Sequence, residues 1–174
     1  MSKKVVVLVA HPNMSDSVAN KALMNGIQAV QGVEIIELYK IVSNPFDSEF
    51  FRKELESASA LVFQFPFYWA SSPSLLKKWL DEVFTPFTGQ PFVVGKSLMV
   101  VTTTGSEADA YSAKGRNFFT VEELLRPFQL VANHSGMNWC APLVVYGMTK
   151  EDVEQQVSAG VEEYKKRITG LLEG

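Results

Sequence analysis

Strand-like and helix-like segments alternate along the whole 174-residue chain. The first segment, residues 5–10, is a continuous run of β-branched and aliphatic side chains, which is typical of a strand covered on both faces. Further strand patterns follow, each separated from the next by apolar residues at helical spacing. Such alternation requires right-handed crossovers, which place parallel strands in one sheet and helices on both of its faces.

The strand and helix patterns together predict one domain over residues 1–174. The predicted strands are residues 5–10, 33–38, 60–65, 97–103 and 138–146. The predicted helices are residues 17–30, 48–58, 72–84, 120–134 with a bend or restart at Pro127, and 149–171. Five strands of this kind favour an α/β, flavodoxin-like three-layer sandwich, with a parallel sheet of order 2-1-3-4-5 and helices on both faces. Ligands in this fold bind beyond the carboxyl ends of the strands, so the loops after strands one, three and four should carry the function.

Composition excludes several other classes of protein. A net charge of −3 and a pI of about 5.4 lack the basic footprint of a nucleic-acid partner. Cys140 is the only cysteine, so no internal disulfide forms, and a cytoplasmic location is expected. His11 and His134 are the only histidines, and no cluster of ligands accompanies them, so no metal site is expected.

The loop after the first strand leads directly into a helix. It carries His11 and then Ser17, Val18, Ala19 and Asn20 at the helix start. Unpaired N–H groups and the helix dipole favour an anion there, and the Ser17 hydroxyl and the His11 ring can add donors. The loop predicts a phosphate site, while a capped helix without a ligand explains the same residues equally well.

The loop after the third strand places Pro66, Phe67, Tyr68, Trp69 and Ala70 where a chain normally becomes polar. We expect its backbone N–H and C=O groups to meet the heteroatom edge of a planar ring. The alternative is that the aromatic rings pack beneath the loop or in a subunit contact.

The loop after the fourth strand begins with Thr103, Thr104, Gly105 and Ser106 and continues for about fifteen residues without strong structure, which is typical of a functional loop. Gly105 permits close approach of the backbone to a ligand. An anion site and two walls around a flat ring describe a phosphorylated planar ligand such as FMN, or the flavin part of FAD.

The residues on these loops resemble the NAD(P)H dehydrogenase (quinone) family with the flavodoxin-2 fold, which includes general stress protein 14 and ancillary oxidoreductases of glutathione-gated potassium efflux. The likeness covers almost the whole chain. It is carried by His11-Pro12, Ser17-Val18-Ala19-Asn20, Phe65-Pro66-Phe67-Tyr68-Trp69, the segment 72–84, Thr103-Thr104-Gly105 and Gly136-Met137-Asn138-Trp139.

The resemblance implies a role for each loop. Residues 17–20 with His11 would hold the flavin phosphates, and residues 67–70 and 103–106 would line the ring from two sides. It further implies ping-pong transfer of a hydride from NAD(P)H through FMN or FAD to a quinone-like acceptor, with Tyr111 as the catalytic residue. Ser106 replaces a glycine of many relatives, and Asn117 stands where larger relatives have a catalytic histidine.

Two kinds of partner follow from the same reasoning. The resemblance implies a homodimer with shared active sites, and apolar loop residues favour it, namely Phe87, Phe92, Val93, Val94, Phe118 and Phe119. It also implies an alternative function as the regulatory partner of a membrane potassium-efflux protein. A nucleotide-binding P-loop at residues 89–97 is disfavoured, since that segment precedes a strand and does not follow one.

Overall fold

A single parallel sheet forms the centre of the protein. The computed structural model describes residues 3–42, 45–149 and 151–174. The strands follow the order β2-β1-β3-β4-β5, and a sixth strand, β6, also pairs with β4. Their bounds are β1 (Val5–Val9), β2 (Val33–Glu37), β3 (Ala60–Pro66), β4 (Ser97–Thr103), β5 (Asn138–Trp139) and β6 (Leu143–Val145). The predicted α/β class and strand order are confirmed.

The last predicted strand, residues 138–146, is divided into β5 and β6. Both pieces pair in parallel with β4, so that Leu98 lies beside Trp139 and Val101 lies beside Leu143. Three steps along β4 therefore match four steps along its neighbour, which leaves one extra residue, as in a β-bulge. Pro142 lies in this gap and has no N–H group to donate to a ladder.

Helices cover both faces of the sheet. They are α1 (Ala19–Ile27), α2 (Ser48–Ser57), α3 (Ser74–Trp79), α4 (Val121–Leu124), α5 (Arg126–Ser135) and α6 (Val153–Glu173). The predicted restart at Pro127 is confirmed, because α5 begins at Arg126 with the proline in its first turn. No helix in the described part of the chain is both long enough and apolar enough to cross a bilayer.

Helix starts differ in how they are capped. Thr120 and Glu123 form a capping box at the start of α4. Pro73 is the N-cap residue of α3, and the Ser72 hydroxyl before it donates to the Pro73 carbonyl. Asp152 is the N-cap residue of α6, and the Thr149 hydroxyl donates to the carbonyl of Gly105 at 2.9 Å. That bond joins the loop after β6 to the loop after β4.

The two faces of the sheet have separate apolar cores. Leu61, Phe63 and Phe65 of β3 pack with α2, α3 and α5, where Trp79 is fully buried. Ala60 and Val62 face the opposite side, where α1 and α6 pack against the sheet. This alternation along β3 produces the three predicted layers. The sheet is thereby covered on both faces, and its carboxyl edge is left for loops.

Candidate functional site

A cleft of about 310 Å³ lies beyond the carboxyl ends of β1, β3 and β4. Its lining includes most of the residues predicted to hold a cofactor: His11, Ser17, Val18, Ala19, Asn20, Pro66, Phe67, Tyr68, Thr103, Thr104 and Gly105. The three loops chosen from the sequence therefore meet at one place. Asp16, Met148 and Val153 also line the cleft and were not among the predicted site residues.

The loop between β1 and α1 supplies the polar wall of this cleft. The Ser17 hydroxyl accepts a hydrogen bond from the backbone N–H of Asn20 at 3.2 Å, so it caps the helix. The backbone N–H of Asn13 donates to Nδ1 of His11 at 3.1 Å, and burial lowers the pKa of His11. The His11 ring is thus neutral at pH 7, with Nε2–H as its donor. A helix start beside such a donor favours a bound anion.

Asn20 lies at the bottom of the cleft and is only 2% exposed. Its Nδ2 donates to the hydroxyl of Thr103 at 3.0 Å. Its Oδ1 is buried and has no hydrogen-bond partner among the residues the structure describes. A buried acceptor without a donor costs free energy, so a ligand that brings a hydroxyl or N–H group to this oxygen is favoured.

The aromatic loop after β3 turns back on itself in two residues. Tyr68 and Ser71 exchange backbone hydrogen bonds of 2.9 and 3.0 Å, with Trp69 and Ala70 between them. Both central residues have positive φ, 47° and 61°, as in a type I′ turn, which normally carries Asn-Gly. The strained turn presents Trp69 to solvent with its side chain fully exposed.

The loop after β4 is held by several hydrogen bonds. The backbone N–H of Thr104 donates to Val145, and the Thr104 hydroxyl donates to the carbonyl of Ser106 at 2.8 Å. A methyl group on Gly105 would meet only Thr149, at an ordinary 3.5 Å. Packing within the chain therefore does not demand glycine here, and the open space faces the cleft.

A second cleft of about 550 Å³ adjoins the first, and Phe67 lines both. It contains the remaining predicted residues, Trp69, Ala70, Ser106 and Tyr111, together with Asn117, Phe119 and Leu124. Aromatic rings and short side chains line this cleft, and a flat ligand can pack against such rings.

Tyr111 lies in this second cleft between two other rings. Its ring centre is 6.0 Å from that of Phe67 and 6.0 Å from that of Tyr146. Burial raises the pKa of Tyr146 to about 12, with smaller contributions from Glu122 and Tyr111. Tyr146 therefore stays neutral and packs behind Tyr111, a contact that the sequence did not indicate.

Part of the apolar loop surface expected at a dimer contact is buried within the chain. Phe87 and Val93 are almost fully buried, and the Phe87 and Phe92 ring centres are 5.3 Å apart. The prediction that these residues need a partner chain is therefore wrong for Phe87 and Val93. Phe118 and Phe119 remain exposed by 69% and 54%, and Phe119 lines the second cleft.

Metal-ligating side chains do not gather at either cleft. Across residues 3–42, 45–149 and 151–174, no three histidine, cysteine, aspartate or glutamate side chains lie close enough together to hold a metal ion.

Comparison with characterised proteins finds relatives over most of the chain. General stress protein 14 of Bacillus subtilis (strain 168) is 41% identical over 152 residues, which are 83% of this chain and 86% of that protein. The glutathione-regulated potassium-efflux system ancillary protein KefG of Pectobacterium atrosepticum is 40% identical over 148 residues, 82% of this chain and 81% of that protein.

Solved structures give the same picture. General stress protein 14 from Treponema denticola, crystallised in complex with FMN, has a TM-score of 0.89 and 30% identity, covering 97% of this chain and 99% of that one. An NADPH-quinone reductase from P. pentosaceus has a TM-score of 0.79 and 27% identity, covering 92% of this chain and 97% of that one.

A family model matches nearly the full length of the chain as well. The Flavodoxin_2 model, described as a flavodoxin-like fold, matches residues 3–168. This range includes all three loops that line the clefts. The sheet order, the place of the clefts and the relatives agree with this match, and the chain is a member of the Flavodoxin_2 family.

Proposed function

We propose that this chain is a flavin-dependent oxidoreductase that transfers a hydride from NAD(P)H, through bound FMN, to a quinone-like acceptor. The observation that carries the proposal is the pair of adjoining clefts that share Phe67. One cleft offers a helix start and a buried acceptor oxygen, and the other offers a wall of aromatic rings. A phosphorylated flat ligand with hydroxyl groups between phosphate and ring matches both.

The residues of the first cleft fit FMN. The phosphate would lie at the start of α1, where the backbone N–H groups of Val18 and Ala19 and the neutral His11 ring are donors. A ribityl hydroxyl would donate to Oδ1 of Asn20, the buried acceptor described above. FMN is preferred over FAD because general stress protein 14 of Treponema denticola was crystallised with FMN.

The second cleft would admit the other reactants. Bound FMN supplies two-electron chemistry, since it accepts a hydride from NAD(P)H and delivers it to an acceptor. Both reactants would use the one cleft around Tyr111 in turn, which corresponds to a ping-pong mechanism. The Tyr111 hydroxyl would donate a hydrogen bond to an atom that gains negative charge next to it, and Asn117, which lines the same cleft, would supply an amide. The match to an NADPH-quinone reductase supports a quinone-like acceptor.

The partner chain in this proposal is a second copy of the same chain. Phe119 lines the second cleft, and its exposed ring follows that of Phe118 along the chain, so a neighbouring subunit would cover both rings and complete the acceptor site. We place the protein in the cytoplasm, because NAD(P)H is found there and Cys140 has no disulfide partner in the sequence.

A second candidate function is that of a regulatory partner of a potassium-efflux protein, with the flavin site acting mainly as a sensor. It is supported by the 40% identity to KefG of Pectobacterium atrosepticum. Under this alternative, turnover of quinones by the isolated protein would be slow, and flavin binding would still be required.

Titration of FMN fluorescence with purified, flavin-free protein tests the cofactor. We expect the protein to quench FMN fluorescence, with saturation at one FMN per chain. If the protein quenches the fluorescence of neither FMN nor FAD, the proposal is contradicted. Steady oxidation of NADH or NADPH in the presence of menadione then tests the acceptor. FMN binding without such turnover would favour the regulatory function.

A further inference from the structure

Gln64 is a polar residue within a buried, otherwise apolar strand. It lies in β3 between Phe63 and Phe65, is 0% exposed, and pairs with Val9 on one side and Val101 on the other. Burying an amide costs free energy unless it is hydrogen-bonded. Oε1 of Gln64 has no partner among the described residues, so the one bond of the side chain, which Nε2 donates, indicates why the chain places it there. Gln64 lines neither cleft.

The bonds of Gln64 reach both ends of the loop between β1 and α1. Its backbone carbonyl accepts from the N–H of Ala10 at 2.8 Å, directly before His11. Its side-chain Nε2 donates to the backbone carbonyl of Asn20 at 2.8 Å, in the first turn of α1. Gln64 is therefore hydrogen-bonded to the residue before the loop of residues 11–19 and to the residue after it.

A second bond extends this connection to β4. Asn20 donates from Nδ2 to the hydroxyl of Thr103, so the first turn of α1 is fixed to the ends of both β3 and β4. Asn20 and Thr103 line the first cleft, whereas Gln64 lies beneath it. Any effect of Gln64 on a ligand must act through the position of this turn.

We propose that Gln64 is a positioning residue for the phosphate-binding loop. It sets the distance between the end of β1 and the start of α1, and so aligns the N–H groups of Val18 and Ala19 on one anion. This inference rests on the proposed function, which places the FMN phosphate at that helix start. Gln64 itself does not touch the ligand.

Affinity for FMN and for riboflavin, which has no phosphate, separates positioning of the phosphate loop from general packing. Gln64→Met keeps the length of the side chain and removes the donor to Asn20. We expect the Kd for FMN to rise about tenfold, because only FMN uses the aligned N–H groups. The Kd for riboflavin should change less than about twofold, because the Asn20 side chain that would meet the ribityl chain keeps its bond to Thr103. If Gln64→Met does not fold, Gln64→Leu serves, since its shorter apolar side chain likewise cannot donate to the Asn20 carbonyl.

Val62→Ala is the matched control. Val62 is fully buried, two residues earlier on the same face of β3, and lines neither cleft. This variant should lower the melting temperature and leave the ratio of FMN to riboflavin affinity unchanged.

The outcomes separate the two proposals. A wild-type protein that binds riboflavin as tightly as FMN would overturn the phosphate assignment in the proposed function. A wild-type preference for FMN that persists in Gln64→Met would overturn the positioning role alone. Equal weakening of both ligands in Gln64→Met would also overturn it, because that result indicates a role in packing only.

Discussion

The cleft at the start of α1 is held by hydrogen bonds between buried groups, whereas the cleft around Tyr111 is walled by exposed rings and positive-φ turns. In the first, Asn20 is almost fully buried and bonded to Thr103. In the second, Trp69 is fully exposed, and Trp69 and Ala70 have φ values of 47° and 61°. The first cleft can hold a small charged group at fixed distances. The second is open and suits reactants that enter and leave in turn.

The largest effect is expected from placing a carboxylate at the buried end of the first cleft. Asn20→Asp removes the donor to Thr103 and buries a negative charge, so unfolding free energy should fall by about 2–3 kcal/mol. FMN affinity should fall by roughly 100-fold, since two negative charges would lie close together. Chemical denaturation and fluorescence titration measure the two quantities.

Ser17→Asp is the control at the rim of the same cleft. Its carboxylate can cap α1 in place of the hydroxyl, so stability should stay within about 0.5 kcal/mol of the wild type. FMN affinity should still fall, because the charge lies next to the phosphate. Unchanged FMN affinity in both variants would mean that the phosphate binds elsewhere.

The next largest effect is expected at the second cleft, where a substitution should slow the reaction without changing FMN affinity. Tyr111→Phe removes the hydroxyl, and we expect reduction of bound FMN by NAD(P)H to slow about tenfold, or about 1.4 kcal/mol of activation free energy. Stopped-flow absorbance at the flavin band measures this step. Tyr146→Phe, which removes the hydroxyl of the ring packed behind Tyr111, should leave the rate unchanged. Equal slowing in the two variants would mean that the Tyr111 hydroxyl has no specific role in this step.

The sequence predicted the first cleft well because that cleft follows from rules of the parallel sheet. Apolar runs such as residues 5–10 identify central strands, and the carboxyl ends of such strands share one edge. His11, Asn20 and Thr103 could therefore be placed together without any knowledge of distances. The observed lining confirms that they meet, while their role toward a ligand stays a prediction.

Other features depend on distances that no local pattern encodes. Gln64 lies between two phenylalanines and resembles any residue of a buried strand, and its bond to Asn20 joins residues 44 positions apart. Phe87 and Val93 looked exposed because their loop contains Pro and Gly, yet the loop folds back on the core. The bulge between β5 and β6 depends on register with β4, which the sequence of one strand cannot specify.

A smaller effect tests the strain in the aromatic turn. Ala70 has a φ of 61°, a conformation in which a Cβ atom is unfavourable. Ala70→Gly should therefore raise the unfolding free energy by about 0.5–1 kcal/mol, measured by urea denaturation. Ser71→Gly, one residue later and without positive φ, should lower it, since glycine there only adds freedom to the unfolded chain. Equal changes in both variants would mean that the turn stores no strain.

The smallest effect is expected in the pH dependence of stability, which tests whether His11, at the edge of the first cleft, is as constrained as the buried groups below it. Burial lowers the pKa of His11 from 6.5, and the N–H of Asn13 occupies its Nδ1. As pH falls through about 6.5, the unfolded chain therefore binds a proton at His11 before the folded chain does. Stability should decrease from that pH downward, until the pH reaches the lowered pKa of the folded state.

His11→Asn removes this titration, so its unfolding free energy should depend less on pH between about 7.5 and 5 than that of the wild type. His134→Asn is the control, because His134 is exposed in the last turn of α5 and is distant in sequence from the β1–α1 loop. Urea denaturation at a series of pH values measures the slope for each protein. If His11→Asn kept the wild-type dependence of unfolding free energy on pH, His11 would titrate in the folded protein as it does in the unfolded chain. The edge of the first cleft would then be as exposed to solvent as the cleft around Tyr111.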